Sequence, residues 1–115
     1  MIDVYGIKNC DTVKKARDWL EANGIEYRFH DFKTEGLDAA TAGRWMKVLG
    51  RDTVINRRGT TWRKLPPARQ VVTSDADAVK LVVEQPSLVK RPVIDTGKTL
   101  TAGFGDEQRQ ALKSP

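Results

Sequence analysis

Residues 2–32 change their apolar period twice, and few folds accommodate that change. Ile2-Asp3-Val4-Tyr5 is short, β-branched and aromatic, the make-up of a buried strand. Val13, Ala16, Trp19 and Leu20 then recur at helical spacing, and Asn23-Gly24 stops the helix. Asp11 and Thr12 are N-cap residue types at its start. From Ile25 to Phe32 polar and apolar residues alternate, which predicts a second strand. Two strands joined by one helix give a βαβ unit with parallel pairing.

The middle of the chain reads as helical. Asp38 caps a helix over 39–49 that Gly50 closes, with Trp45, Val48 and Leu49 as its apolar stripe. Residues 51–67 are basic and irregular, with one short helical turn expected before Pro66. Ser74, Asp75 or Asp77 starts a further helix carrying Ala78, Leu81, Val82 and Val83, and Pro86 ends it. Strand signals return in Leu88–Asp95 and Thr99–Ala102. The turn at Thr96-Gly97-Lys98 makes these a hairpin. A last helix runs from Asp106 to Lys113. The layout is an α/β single domain over 1–115 with a mixed sheet, βαβ then ββα, and a helical insertion at about 38–86.

Cys10 lies where the first strand hands over to the helix. The unpaired amides of a helix's first turn and its macrodipole favour negative charge, and Lys8 and Lys14 are near in sequence. An ordinary thiol has a pKa near ~8.5, and such surroundings lower it to roughly 3.5–7.5. The competing reading is an inert, buried small hydrophobe. The polar flanks Lys8-Asn9 and Asp11-Thr12 argue against it. As the only cysteine, Cys10 has no intrachain disulfide partner, which fits a reducing cytosol.

With a net charge of +5, the chain is suited to an anionic substrate. The basic residues are scattered, and the absence of an aromatic-basic platform speaks against nucleic-acid binding. No apolar run approaches the ~18 residues of a membrane span, and no signal pattern opens the chain. A cytoplasmic protein is expected. There is no His/Cys metal set, Gly-rich phosphate loop or Ser-His-Asp grouping. A Cys-x5-Arg anion loop fails because position 16 is Ala16. The lone His30 reads as structural or exposed.

Three motifs carry a resemblance: the strand-loop-Cys10-helix, Val54-Ile55-Asn56-Arg57, and Gln85-Pro86-Ser87-Leu88-Val89-Lys90-Arg91-Pro92-Val93. Together they resemble the arsenate reductase-like (ArsC/Spx) family over roughly 1–112, and within it the YffB-type branch. The resemblance implies a thioredoxin-like fold with a helical insertion. It matches the family's nucleophile to Cys10 and its oxyanion-binding arginines to Arg57 and Arg91. Alone, either arginine would read as a solvated charge. It further implies a cis Arg91–Pro92 bond facing the thiol, with the Arg91 side chain available to the thiolate or to a glutathione carboxylate. Lys8, Asn9, Arg91 and Pro92 are thus the expected substrate- or glutathione-binding residues. Asn9 reads equally well as a turn former.

Two departures matter. The third arginine of arsenate reductases falls at Ala102-Gly103-Phe104, so weak or no arsenate reduction is expected. The regulators of the family use a Cys-x-x-Cys pair, and position 13 is Val13. Oxidised Cys10 therefore needs an outside thiol, with glutathione as cosubstrate and no bound cofactor. The expected activity is a glutathione-dependent monothiol oxidoreductase acting on a small oxidised substrate. The alternative is a non-enzymatic, Spx-like module that binds RNA polymerase through 51–64.

Overall fold

The computed structural model describes residues 1–113. In chain order the elements begin β1 (Ile2–Gly6), α1 (Asp11–Ala22), β2 (Tyr27–Asp31) and α2 (Phe32–Glu35). Next come α3 (Ala39–Leu49), α4 (Arg51–Val54), α5 (Thr60–Arg63) and α6 (Asp75–Glu84), with 3-10 turns at Pro67–Gln70 and Pro86–Leu88. The chain closes with β3 (Val93–Asp95), β4 (Leu100–Ala102) and α7 (Asp106–Lys113). It forms two compact units, one joining Met1–Glu35 to the chain from Arg91 onward and the other spanning Gly36–Lys90. Among the described residues, no helix is long and apolar enough to cross a membrane.

The first unit holds a four-stranded mixed sheet in the order β2-β1-β3-β4. β1 pairs β2 in parallel, with Val4 opposite Phe29 and Gly6 opposite Asp31. It pairs β3 antiparallel, with Val4 opposite Ile94 and Tyr5 opposite Val93. β3 turns back into β4 as the expected hairpin. Alternation along β1 sends Val4 to one face and Asp3 and Tyr5 to the other. On the first face Val4, Leu20 and Ile94 are buried, and Trp19, Phe29, Phe104 and Leu112 pack around them. Each such apolar side chain removed from water contributes about 1.5–3 kcal/mol. Trp19 meets Phe104 edge-on, with centroids 5.8 Å apart.

In the second unit α3 packs on α6. Asp38 caps α3 by accepting the Thr41 amide at 2.7 Å, as expected. Of the three candidates for the α6 cap, Ser74 takes the role, accepting the Asp77 amide at 3.1 Å. The apolar stripe of α3 departs from expectation. Val48 is 58 % exposed, whereas Ala42, Trp45 and Met46 are buried. Positions 42, 45, 46 and 49 follow the i, i+3, i+4, i+7 rule, and position 48 falls outside that arc. Residues 51–67 are more regular than the single turn expected. They hold α4 and α5, and Ile55 forms an antiparallel bridge with Val89.

One glycine governs how α1 meets the sheet. A Cβ on Gly6 would lie 2.7 Å from a Val13 methyl, and Val13 is fully buried. The end of β1 and the first turn of α1 are therefore in backbone-close contact, which only glycine permits. Gly43, inside α3, has its nearest non-local neighbour at 4.0 Å. Opposite outcomes are expected in urea unfolding. Gly6→Ala loses about 1–3 kcal/mol through overpacking, while Gly43→Ala gains about 0.5–1 kcal/mol from helix propensity. A neutral Gly6→Ala would disprove the close-contact account.

Candidate functional site

The site is built from the loop between β1 and α1. Ile7-Lys8-Asn9-Cys10 forms a tight turn, with the Cys10 amide donating to the Ile7 carbonyl at 3.3 Å. Lys8 and Asn9 fill its exposed centre. Helix α1 starts one residue earlier than Asp11 capping would give, and two earlier than Thr12 capping would. Cys10 itself is the N-cap, in extended conformation, and its carbonyl accepts the Lys14 amide at 3.0 Å. The Gly6–Val13 contact lies within the same strand-to-helix connection. The thiol makes no capping hydrogen bond and is half-buried. It stands at the end of α1 where first-turn amides lack intrahelical acceptors. Asp11 follows it in the same turn.

Arg91 and Pro92 belong to the same unit. The Arg91–Pro92 peptide is cis, as the resemblance implies. Pro92 is buried, and its carbonyl accepts the Gly103 amide at 2.9 Å. The β1–β3 register ends on Tyr5–Val93. One step further lie Gly6 and Pro92, so Pro92 enters the sheet at the end from which the Cys10 loop departs. Lys8, Asn9, Cys10, Arg91 and Pro92 are thereby grouped at one end of one sheet.

Arg57 lies in the second unit. Its guanidinium pairs with Asp52 at 2.9 Å and stands 5.4 Å above the Trp62 ring. Sequence reading missed this pairing, although the opposite charges five residues apart were a usable signal. Among the described residues, no group of three or more His, Cys, Asp and Glu could hold a metal ion.

A family model described as the ArsC family matches residues 5–112. The chain belongs to the ArsC family. Among solved structures, this ArsC-family chain is similar to a protein named YffB at 43 % identity. That match covers 96 % of this chain and 97 % of the other, with a TM-score of 0.91. It is also similar to an arsenate reductase-related protein from Brucella melitensis. There the identity is 48 %, the coverage 99 % of this chain and 95 % of that one, and the TM-score 0.76. A global transcriptional regulator, Spx 1 of Lactococcus lactis, is 28 % identical across 97 % of this chain and 88 % of its own. The two solved structures share the thioredoxin-like α/β arrangement.

The ArsC-family chain carries a second polar group, on the opposite sheet face from Val4. His30 meets carboxylate oxygens at both ring nitrogens, Nε2 facing Asp3 at 2.8 Å and Nδ1 facing Glu35 at 2.9 Å. Its ring stacks on Tyr5 with centroids 4.5 Å apart. Arg28 completes the group with a 3.0 Å contact to Asp3. The expectation of a structural histidine holds, but its Asp3 partner is 27 residues away and left no local signal. Carboxylates can only accept, so two contacts need two N–H donors, which only the imidazolium has. Partial burial disfavours the charge on His30, but hydrogen bonds to Asp3 and Glu35 outweigh it and raise the pKa. Partial burial likewise works against ionised Asp3, while hydrogen bonds from His30 and Arg28 lower its pKa.

The signs fix a pH dependence. The stabilisation from His30 is full below its ordinary value of about 6.5 and is lost as pH rises through the raised folded value. That from Asp3 is present above its ordinary value and lost as pH falls through the lowered one. The gap in urea midpoint between wild type and His30→Gln is therefore expected to be widest near pH 6 and to close on the alkaline side. A gap that widens with rising pH would contradict this.

Proposed function

We propose that this protein is a glutathione-linked monothiol reductase in which Cys10 is the nucleophile. The observation that carries the reading is the sole cysteine standing as the N-cap of α1, its sulfur uncommitted to capping. A helix N-terminus stabilises an anion beside it, and a thiolate is the attacking species in disulfide exchange. The Cys10 thiolate attacks the glutathione-side sulfur of a mixed disulfide. The new S–S bond joins Cys10 to glutathione, and the substrate leaves as a thiolate that takes a proton from water. A second glutathione thiolate then attacks that bond, forming oxidised glutathione and returning Cys10 as thiolate. The net change converts the mixed disulfide and one free glutathione into the substrate thiol and oxidised glutathione, the disulfide bond passing from the substrate to glutathione.

Arg91, placed with Pro92 at the Cys10 end of the sheet, is assigned to the leaving thiolate or to a glutathione carboxylate. Arg57 is assigned to the anionic substrate as in the family, with Asp52 orienting its guanidinium. Lys8 and Asn9 in the turn contribute a positive charge and an amide to glutathione. With no arginine at 102–104, arsenate turnover is expected to be negligible.

A second reading rests on the Lactococcus lactis regulator, whose similarity runs over almost the whole chain. In it the protein is an Spx-like module that binds RNA polymerase through 51–64, with or without Cys10. Stoichiometric recovery of polymerase by both wild type and Cys10→Ser would favour this module.

The oxidoreductase reading is tested with oxidised glutathione and mass spectrometry. Wild type should gain one glutathionyl group and release it to reduced glutathione, and Cys10→Ser should gain none. Arg91→Gln should slow both steps roughly tenfold, the scale of a lost hydrogen bond to a charged group. A wild-type protein that stays unmodified would end the proposal.

A further inference from the structure

The longer free edge of the four-stranded sheet borders an open groove. β2 is an outer strand, bonded on one side to β1. Alternate amides and carbonyls along Tyr27–Asp31 therefore face away from the sheet. β4, the other outer strand, is three residues long against five for β2. Where the start of β2 meets the last two turns of α1 lies a groove of about 700 Å³. Ile25, Tyr27 and Phe29 form its apolar side, each half-buried against the core of Val4, Leu20 and Ile94.

The charges lining this groove are unequally engaged. Arg17 donates through Nε to the Tyr27 hydroxyl at 3.0 Å, and its guanidinium carbon stands 4.2 Å from the centre of the Phe29 ring. A cation seated on aromatic faces is satisfied there. Glu21, one turn further along α1, and Glu26, one residue before β2, are exposed. Neither carboxylate has a cationic side-chain partner among the described residues. In a chain of net charge +5, the open charges of the groove are both negative.

These features select the occupant. An extended peptide satisfies the outward groups of an edge strand by main-chain pairing, and its alternate side chains enter pockets on one face. The acidic rim favours cationic side chains on that peptide. A second copy of this chain is a poor match. Two-fold pairing of β2 centred on Phe29 sets Arg28 opposite His30, and like charges directly opposite are destabilising.

We infer that the β2 edge and its groove dock an extended aliphatic segment of a partner protein that carries lysine or arginine. The segment lies along β2 as a fifth strand. Valine-sized side chains at alternate positions cover Ile25, Tyr27 and Phe29, and a basic residue reaches Glu21 and Glu26. Along the axis of α1, about 16 Å separates Glu21 from Cys10 at the opposite end. The groove takes a cation and uses no thiol, so it stands or falls separately from the reading of Cys10.

The test is an amide NMR titration of full-length protein with a capped heptapeptide in which valine alternates with threonine between terminal lysines. Saturable shifts are expected at the amides of 25–31. Methylating the peptide's backbone nitrogens at alternate positions separates its two edges. One of the two methylated sets should abolish binding and the other should leave it unchanged. Glu21→Gln and Glu26→Gln should each weaken binding about threefold, the scale of an exposed ion pair. Glu107→Gln, on exposed α7 surface, should have no effect. Absence of saturable shifts would overturn the inference, as would equal binding by both methylated peptides. A concentration-dependent dimer whose β2 amides are protected from hydrogen exchange would assign the edge to a second copy and overturn it too.

Discussion

The contact between Gly6 and Val13 decides the geometry on which the thiol chemistry depends. A strand end that must meet a helix within van der Waals range of bare backbone leaves no freedom in how the connecting loop enters the helix. That loop is four residues of tight turn, and its last residue falls at the N-cap. Position 10 thus acquires its electrostatic setting from a packing constraint in the core. Moving α1 outward by a methyl group would also move the sulfur relative to the sheet end where Pro92 enters.

The first unit uses the two faces of its sheet differently. One carries aliphatic and aromatic side chains of the strands packed with Trp19 and Leu20 of α1, Phe104 and Leu112, whose burial supplies stability that varies little with pH. The other carries Asp3, Arg28, His30 and Glu35 in mutual contact, with Tyr5 stacked on the imidazole. Because strand residues alternate in direction, Val4 and Tyr5 serve these two faces from adjacent positions. The second unit orders its charges by other means: a two-bond bridge between Val54–Asn56 and Leu88–Lys90 aligns segments more than thirty residues apart in the chain.

Much of the architecture was legible because its signals are local. Period changes announce β1, α1 and β2, and side-chain chemistry announces the cap at Asp38, narrows the α6 cap to Ser74, Asp75 or Asp77, and marks the stops at Gly24 and Gly50. The hairpin follows from a short polar turn. What escaped notice depends on distance or on scale. Helix α4 is four residues, too short for a 3.6-residue period to register, whereas α5 is the short turn expected before Pro66. Asp11 and Thr12 look like caps of α1 by side-chain type, but Cys10 holds the position. Val48 looked like core because it is apolar, and only the register of the whole helix shows that Met46 faces inward in its place. The Asp3–His30 contact joins two strands and cannot be read from either. The grouping of Cys10 with Pro92 at one sheet end needed the β1–β3 register, which no single stretch of sequence contains.

The first unit is discontinuous in the chain, and this bears on the order in which the protein matures during synthesis. Its central strand β1 cannot gain its antiparallel neighbour β3 until residues 93–95 have left the ribosome. Residues 36–90, by contrast, form one uninterrupted unit that can close as soon as it emerges. The nascent protein therefore exposes its one cysteine early and gains β3 and β4 only later, leaving an interval in which the thiol is present before the strand that brings Pro92 to its end of the sheet.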